Sequence, residues 1–303
     1  MKESRHALER QGLPGGEAAA APASDKRFPD GAHYRIEIPS TEGPRALAAV
    51  LDEASKRRVP LHRVSQGSGI MLQTDDEIVE MVSLGRQAGL EVNLFVGPRA
   101  TFDIGAQAFA AAGKTLGLSL RGADQLVYAL EDVRRAVRLG IESILVSDLG
   151  LLAVMGRMKK AGDLPPSLII KTSVMMAPAN PASARVLEDL GATTINVPSD
   201  LTVAQVAAIR SAIDAPLDFY IEAPDNIGGF VRYYELPELV RAGAPMYVKL
   251  GLRNSPDIYP SGGHLENTAL AMSRERVRRA QIAVELLGRY GEGLVMSAAG
   301  NLG

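Results

Sequence analysis

Short runs of alternating apolar and polar residues recur along this chain, most clearly at LDFYIE (217–222) and MYVKL (246–250). Asp218, Tyr220 and Glu222 share one parity against Phe219 and Ile221, and Tyr247 and Lys249 share one against Met246, Val248 and Leu250. Successive strand side chains point to opposite faces, so each run predicts a strand with one apolar and one ionic face. Comparable runs are RIEIP (35–39), LHRVSQG (61–67), VNLFVGP (92–98), SILVSD (143–148), LIIKTSV (168–174) and TTINVPSD (193–200). Between them the pattern predicts helices over about 44–58, 75–89 and 126–139, a segment reaching 161, and then ASARVLEDL, LTVAQVAAIRSAI, ELPELVRAG and SRERVRRAQIAVELLGRY. Pro44 suits an early helical position, and Gly140 and Gly191 suit helix ends.

Eight strand-like runs, most followed by a helix and spaced about 25–30 residues apart, predict α/β architecture with a parallel sheet. In a chain of 303 residues this fits a closed (β/α)8 TIM barrel as a single domain over residues 33–290. Residues 1–32, rich in Ala, Gly, Pro and charge, read as a disordered N-terminal arm, and 291–303 as a flexible tail. The stretch RATFDIGAQAFAAAGKTLGLSLRGADQ reads as an insertion after strand three, with LSLRG inside it rather than as a ninth strand. An open doubly wound sheet is the rival, but its first turn, IPSTEG, lacks the G-x-G-x-x-G of a dinucleotide site.

A barrel turns the apolar parity toward its helices and the other parity into its lumen. The lumen then receives Arg35, Glu37, Asn93, Phe95, Ile169, Lys171, Thr194, Asn196, Asp218, Tyr220, Glu222, Tyr247 and Lys249. Buried charges must pair or face a wet cavity. Barrel chemistry sits at the C-terminal ends of strands, and this selects Glu37, Lys171, Glu222 and Lys249 as catalytic candidates. The carboxylates Glu37 and Glu222 suit acid/base work or a divalent metal, and the lysines suit oxyanion stabilisation. The bland alternative, a satisfied salt-bridge layer low in the barrel, weighs most for Asp218 and Arg35.

The loops add substrate-binding candidates: Gln66 in SQGSG, Arg99 in GPRATFD, Arg121 in LRGADQ, Asn196, Arg253 after strand eight, and His264 in SPDIYPSGGHLE. Guanidinium groups clamp carboxylates through paired hydrogen bonds. The clusters Lys56-Arg57-Arg58 and Arg274, Arg276, Arg278 and Arg279 read as solvated helix faces, since they lack interleaved aromatics.

Composition narrows the field. The chain has no cysteine, which excludes disulfides, thiol nucleophiles and cysteine-held zinc or iron–sulfur sites. Its four histidines form no metal-binding pair. A net charge of −2 offers no global field for nucleic acid or an anionic membrane, and no apolar run is long enough to span a bilayer. A cytoplasmic location is expected, with a small-molecule or short peptide substrate as partner and a homo-oligomer left open.

The distributed pattern of HYRIEIPS, VSQGSG, LFVGP, RGADQLVYALEDVRRAVRLGIESILVSD and KTSVMMAPANPASARVLEDLGATTINVPSD resembles peptidase family U32, the collagenase-like peptidases. That resemblance covers most of residues 33–290 and implies a barrel hydrolase. The family's signature segment contains cysteine, and its cluster-bearing relatives use cysteines; this chain has neither, so no iron–sulfur cluster is implied. More locally, IIKTSV followed by NPASARVL is similar to the Lys-Thr-Ser strand of deoxyribose-phosphate aldolases, which would make Lys171 a Schiff-base lysine. A lysine beside a second cation has the lowered pKa such chemistry needs. Three readings follow: a peptidase-like hydrolase acting on a small carboxylate- or amide-containing substrate, a Schiff-base lyase using Lys171, and a non-catalytic barrel that binds a metabolite or partner.

Overall fold

Each alternating run becomes a parallel strand, and the strands pair in sequence order until the eighth closes on the first. The computed structural model describes residues 2–97 and 118–300. The strands are β1 (Tyr34–Pro39), β2 (Arg63–Ser65), β3 (Glu91–Phe95), β4 (Ser143–Val146), β5 (Ile169–Thr172), β6 (Thr194–Asn196), β7 (Leu217–Glu222) and β8 (Met246–Leu250). A short helix α1 (Lys2–Glu9) precedes them. The barrel helices among the described residues are α2 (Pro44–Arg57), α3 (Asp75–Ala88), α4 (Gly122–Arg138), α5 (Leu149–Ala161), α6 (Pro181–Asp189), α7 (Val203–Ala212), α8 (Leu236–Gly243) and α9 (Glu266–Tyr290). None is long and apolar enough to cross a membrane.

Local chemistry sets the helix ends. Thr74, Asn180 and Thr202 begin α3, α6 and α7 with capping boxes, which satisfy backbone N–H groups that lack helical partners. Gly89 and Gly162 close α3 and α5 in the left-handed region that favours glycine. Helix α9 starts at Glu266, well before the predicted Ser273, and α4 starts at Gly122. The outward strand residues Ile36, Ile38, Leu94, Ile144, Ile170 and Phe219 are buried beneath the helices in one core. Burying an aliphatic or aromatic side chain of this kind contributes about 1.5–3 kcal/mol.

The pairing register fixes the lumen. Glu37 pairs with Arg63, Val64 with Val92, Asn93 with Ser143, Ile144 with Ile170, Lys171 with Thr194, Ile195 with Leu217, Asp218 with Tyr247, and Val248 with Ile36. A circuit that climbs one residue at each strand therefore returns to Glu37. Inward residues consequently stack in layers contributed by alternate strands. From the base upward these are Arg63, Ser143, Thr194 and Tyr247; then Glu37, Asn93, Lys171 and Asp218; then Ser65, Leu145, Asn196 and Lys249. Phe95 and Tyr220 stand above them, toward the C-terminal mouth.

Residues of both flanking segments pack against the base of the barrel. Phe28 and Ala32 are buried with Tyr247 at the base, and Arg35 stacks on the Phe28 ring with its guanidinium carbon 4.3 Å from the centroid. At the other terminus, Met296 bridges to Tyr34, and Ser297 is buried. Ser297 Oγ accepts from Arg35 Nε at 2.9 Å, and its carbonyl lies 2.9 Å from His62 Nε2. His62 Nδ1 accepts from the Ile36 amide, so Nε2 is the nitrogen that donates. Low apolar content at each terminus hid the few residues that anchor it.

Candidate active site

Charges from strands far apart in sequence meet within the lumen. Lys171 Nζ donates to Glu37 Oε2 and lies 3.5 Å from Asp218 Oδ1. Lys249 Nζ is 3.4 Å from Glu37 Oε1, and the Ser65 hydroxyl donates to that same oxygen at 2.7 Å. Lys171 Nζ is also 3.4 Å from Ser65 Oγ. Asn196, with its amide oriented to suit both neighbours, accepts from Lys249 Nζ at 2.7 Å and donates to the Asp218 carbonyl at 3.1 Å. Lys249 Nζ stands 4.1 Å from the centre of the Tyr220 ring.

Below this group lies a second set of contacts around Arg63, which is fully buried. Arg63 donates to Glu91 at 2.7 Å and to Asp218 at 2.8 Å, approaches Glu37 at 3.4 Å, and stacks on Tyr247 at 3.5 Å from the ring centre. Thr194 donates to Asp218, and Ser143 donates to Glu91 at 2.6 Å. Among the described residues the lumen's ion pairs join Arg63, Lys171 and Lys249 to Glu37, Glu91 and Asp218, and at the base Arg35 faces Asp30 at 3.8 Å.

The two halves differ electrostatically. Burial alone would raise Glu37, but Lys171, Lys249 and Arg63 overcome it and hold the carboxyl far below the usual carboxylate range. Burial would lower Arg63, yet Glu91, Tyr247, Asp218 and Glu37 raise it well above the usual arginine value. Lys171 moves the other way: burial pushes its amine down to about 8, Asp218 and Glu37 oppose that, and Lys249 and Arg63 add to it. At neutral pH the resting state is an ionised Glu37–Lys171 pair. Lys171 is the member of that pair able to release a proton just above neutrality.

The other sequence candidates scatter. Glu222 does not join the lumen, because the β7–β8 register shifts between Tyr220 and Glu222. Its carboxylate accepts from Tyr233 Oη at 2.8 Å and from the Arg253 amide at 3.1 Å, and faces Arg279 at 3.4 Å. Glu37 and Glu222 therefore do not stand together as metal ligands, and the three cations around Glu37 (Lys171, Lys249 and Arg63) repel a divalent ion there. Among the described residues no cluster of metal-ligating side chains forms. Gln66 is buried and spends its amide on Gly69, bracing the loop after β2. Arg253 is exposed and pairs with Asp225 at 3.3 Å, and His264 is exposed on the last loop. Arg121 caps α4, its amide donating to Gln125 at 2.7 Å. Arg99 lies outside the described residues. Of the five substrate-binding candidates among the described residues, Asn196 is the one placed among the lumen charges.

Sequence reasoning missed Arg63, Ser65 and Glu91. Their signal was present: Arg63 and Ser65 alternate with Val64, and Glu91 precedes the apolar run of β3. Arg276, expected on a solvated face, is buried at 3% exposure.

Residues 118–223, which run from the approach to α4 to just beyond β7, match the model of Peptidase family U32. That span holds Lys171, Asn196 and Asp218; Glu37, Ser65 and Lys249 lie outside it. No curated protein matches the chain. Among solved structures, the YdjI aldolase from Escherichia coli K12 is similar at 15% identity and a TM-score of 0.50, over 86% of this chain and 93% of that one. A U32 peptidase is similar at 18% identity and a TM-score of 0.43, over 66% of this chain and 73% of that one. At such identities the aldolase likeness establishes the barrel fold alone.

Proposed function

We propose that this chain is a hydrolase of small amide- or carboxylate-containing substrates, with Ser65 as nucleophile, Lys171 as its base and Lys249 as oxyanion stabiliser. The observation that carries this reading is the layer order: Ser65 and Lys249 share one oxygen of Glu37 and stand between Lys171 and the mouth. A substrate carbonyl entering from above meets the hydroxyl and the ammonium first. As Ser65 Oγ bonds to the carbonyl carbon, its proton passes to neutral Lys171 Nζ, and the oxygen that gains charge faces Lys249. Lys171 returns the proton to the leaving group, and water completes hydrolysis of the acyl-serine. Glu37 stays ionised and orients all three groups, so the acid/base role assigned to it from sequence passes to Lys171. The U32 match over 118–223 supports the hydrolase class.

A second reading rests on the same lowered amine. Lys171 at about 8, beside a second ammonium, suits Schiff-base formation with a carbonyl substrate. Two measurements separate the readings. Turnover of a panel of small acyl amides and esters is expected, with Ser65→Ala reducing it at least about a hundredfold. Borohydride reduction in the presence of small aldehydes and ketones is expected to leave Lys171 unmodified. A stable adduct at Lys171, with Ser65→Ala still active, would replace the hydrolase by the lyase.

A further inference from the structure

Helix α9 carries four arginines between 274 and 279, and one of them turns inward. Arg276 is 3% exposed; its Nη1 donates to the Ser40 carbonyl at 3.2 Å, and its Nε has no partner. No carboxylate among the described residues forms an ion pair with it. One turn earlier on the same face, Ser273 is fully buried and its Oγ is also without a partner. Ser40 follows β1 at the mouth, with a positive φ, and its hydroxyl meets Tyr259 Oη from the loop after β8. The titratable groups whose charge reaches Arg276 are Tyr259, Glu42 and Tyr220, and Lys249 stands over the Tyr220 ring. Arg276 thus enters the rim of the mouth beside the residue that backs Lys249.

An arginine cannot escape burial by losing its proton. The Glu42 carboxylate acts on Arg276 without pairing with it and accepts instead from Gly67 and Ser68; a buried guanidinium with no direct ion pair is penalised until an anion joins it, and guanidinium N–H groups suit oxyanions. We infer that Arg276 holds the oxyanion group, carboxylate or phosphate, of the substrate at this mouth, with Ser273 Oγ as second donor. The inference rests on the mouth being the substrate site, and it adds that the substrate is an anion.

The test is binding, not turnover. The full chain is melted in an anion-poor buffer with increasing inorganic phosphate, or with acetate, against sodium chloride of matched ionic strength. The wild-type midpoint is expected to rise in a saturable way with at least one of the two, as for any ligand that binds only the folded state; which one succeeds identifies the anion. Arg276→Met is expected to abolish that rise while its anion-free midpoint equals or exceeds the wild type. Should that variant not fold, Ser273→Val is expected to raise the half-saturating concentration severalfold. The inference is overturned if the wild type shows no rise beyond the chloride control, if Arg276→Met keeps the full rise, or if Ser273→Val binds as the wild type does. Because no substrate turnover is read, an inactive protein that binds phosphate would sink the hydrolase reading and leave this one standing.

Discussion

Lys171 is a base only when it has lost its proton, and that condition makes the chemistry pH-dependent. With burial lowering the amine to about 8, roughly a tenth of the molecules hold it free at pH 7. Both the hydrolase and the lyase need that form, so kcat/KM is expected to rise roughly tenfold from pH 7 to a plateau above about pH 9. Lys171→Met should remove the activity with its pH dependence, and a wild-type profile flat across this window would dismiss Lys171 as the titrating group. The stability consequence has the same sign. The folded amine titrates below the unfolded one, so between about 8 and 10.5 the unfolded chain binds the extra proton and this group's contribution to stability grows with pH. Arg63 is different, because it sits two layers below Ser65 with every charged neighbour engaged. Arg63→Met leaves Glu91 and Asp218 short of their cation, and its expected cost is about 3–5 kcal/mol in urea unfolding. A loss below about 1 kcal/mol would mean that the lower network is dispensable.

Strand parity made much of this site legible and also set where the reading failed. The rule that alternate residues face the lumen placed Glu37, Lys171, Asn196, Asp218 and Lys249 together, because β1, β5, β6, β7 and β8 are regular where those residues sit. It failed at Glu222, since the irregularity after Tyr220 breaks the two-residue period and no residue type announces it. It passed over Arg63 because β2 is three residues long and follows His62, leaving too few positions to settle a parity. Arg276 was lost among neighbouring arginines, where helical periodicity alone does not say which one turns inward. The displaced Glu222 has its own consequence. It joins β7 to Tyr233 and Arg279, so Glu222→Ala should leave turnover within about twofold and cost about 1–3 kcal/mol of stability through the partners it abandons. A hundredfold loss of turnover at unchanged stability would restore it to the chemistry.

At the scale of the whole molecule, the terminal segments cover part of the barrel's base, and the proposed chemistry lies above it. Three layers of polar side chains would fill with water from an open base, which would weaken every ion pair in the lumen. The terminal segments cover part of that end: Phe28 and Ala32 press on Tyr247 from one side, while Ser297 binds Arg35 and His62 from the other, and a cavity of about 440 Å³ lined by Arg35, Glu91, Ile169 and Tyr247 opens beside them. His62 in turn accepts from the β1 amide of Ile36, so the tail is hydrogen-bonded into the first strand of the barrel. Removal of residues 291–303 should therefore do more than trim a loose end. It leaves Tyr34, Arg35 and His62 short of partners and admits water beneath Arg63. The expected result is a fall in melting temperature of several degrees, from the loss of about 1–3 kcal/mol per unsatisfied buried group. Reduced activity should accompany it, because wetting the lumen returns the Lys171 amine toward its ordinary value and moves the pH profile upward. Ser297→Ala, which removes only the hydroxyl, should reproduce a fraction of the melting shift and none of the change in the profile. A truncated chain that melts and titrates like the full one would show that the tail does not shield the lumen.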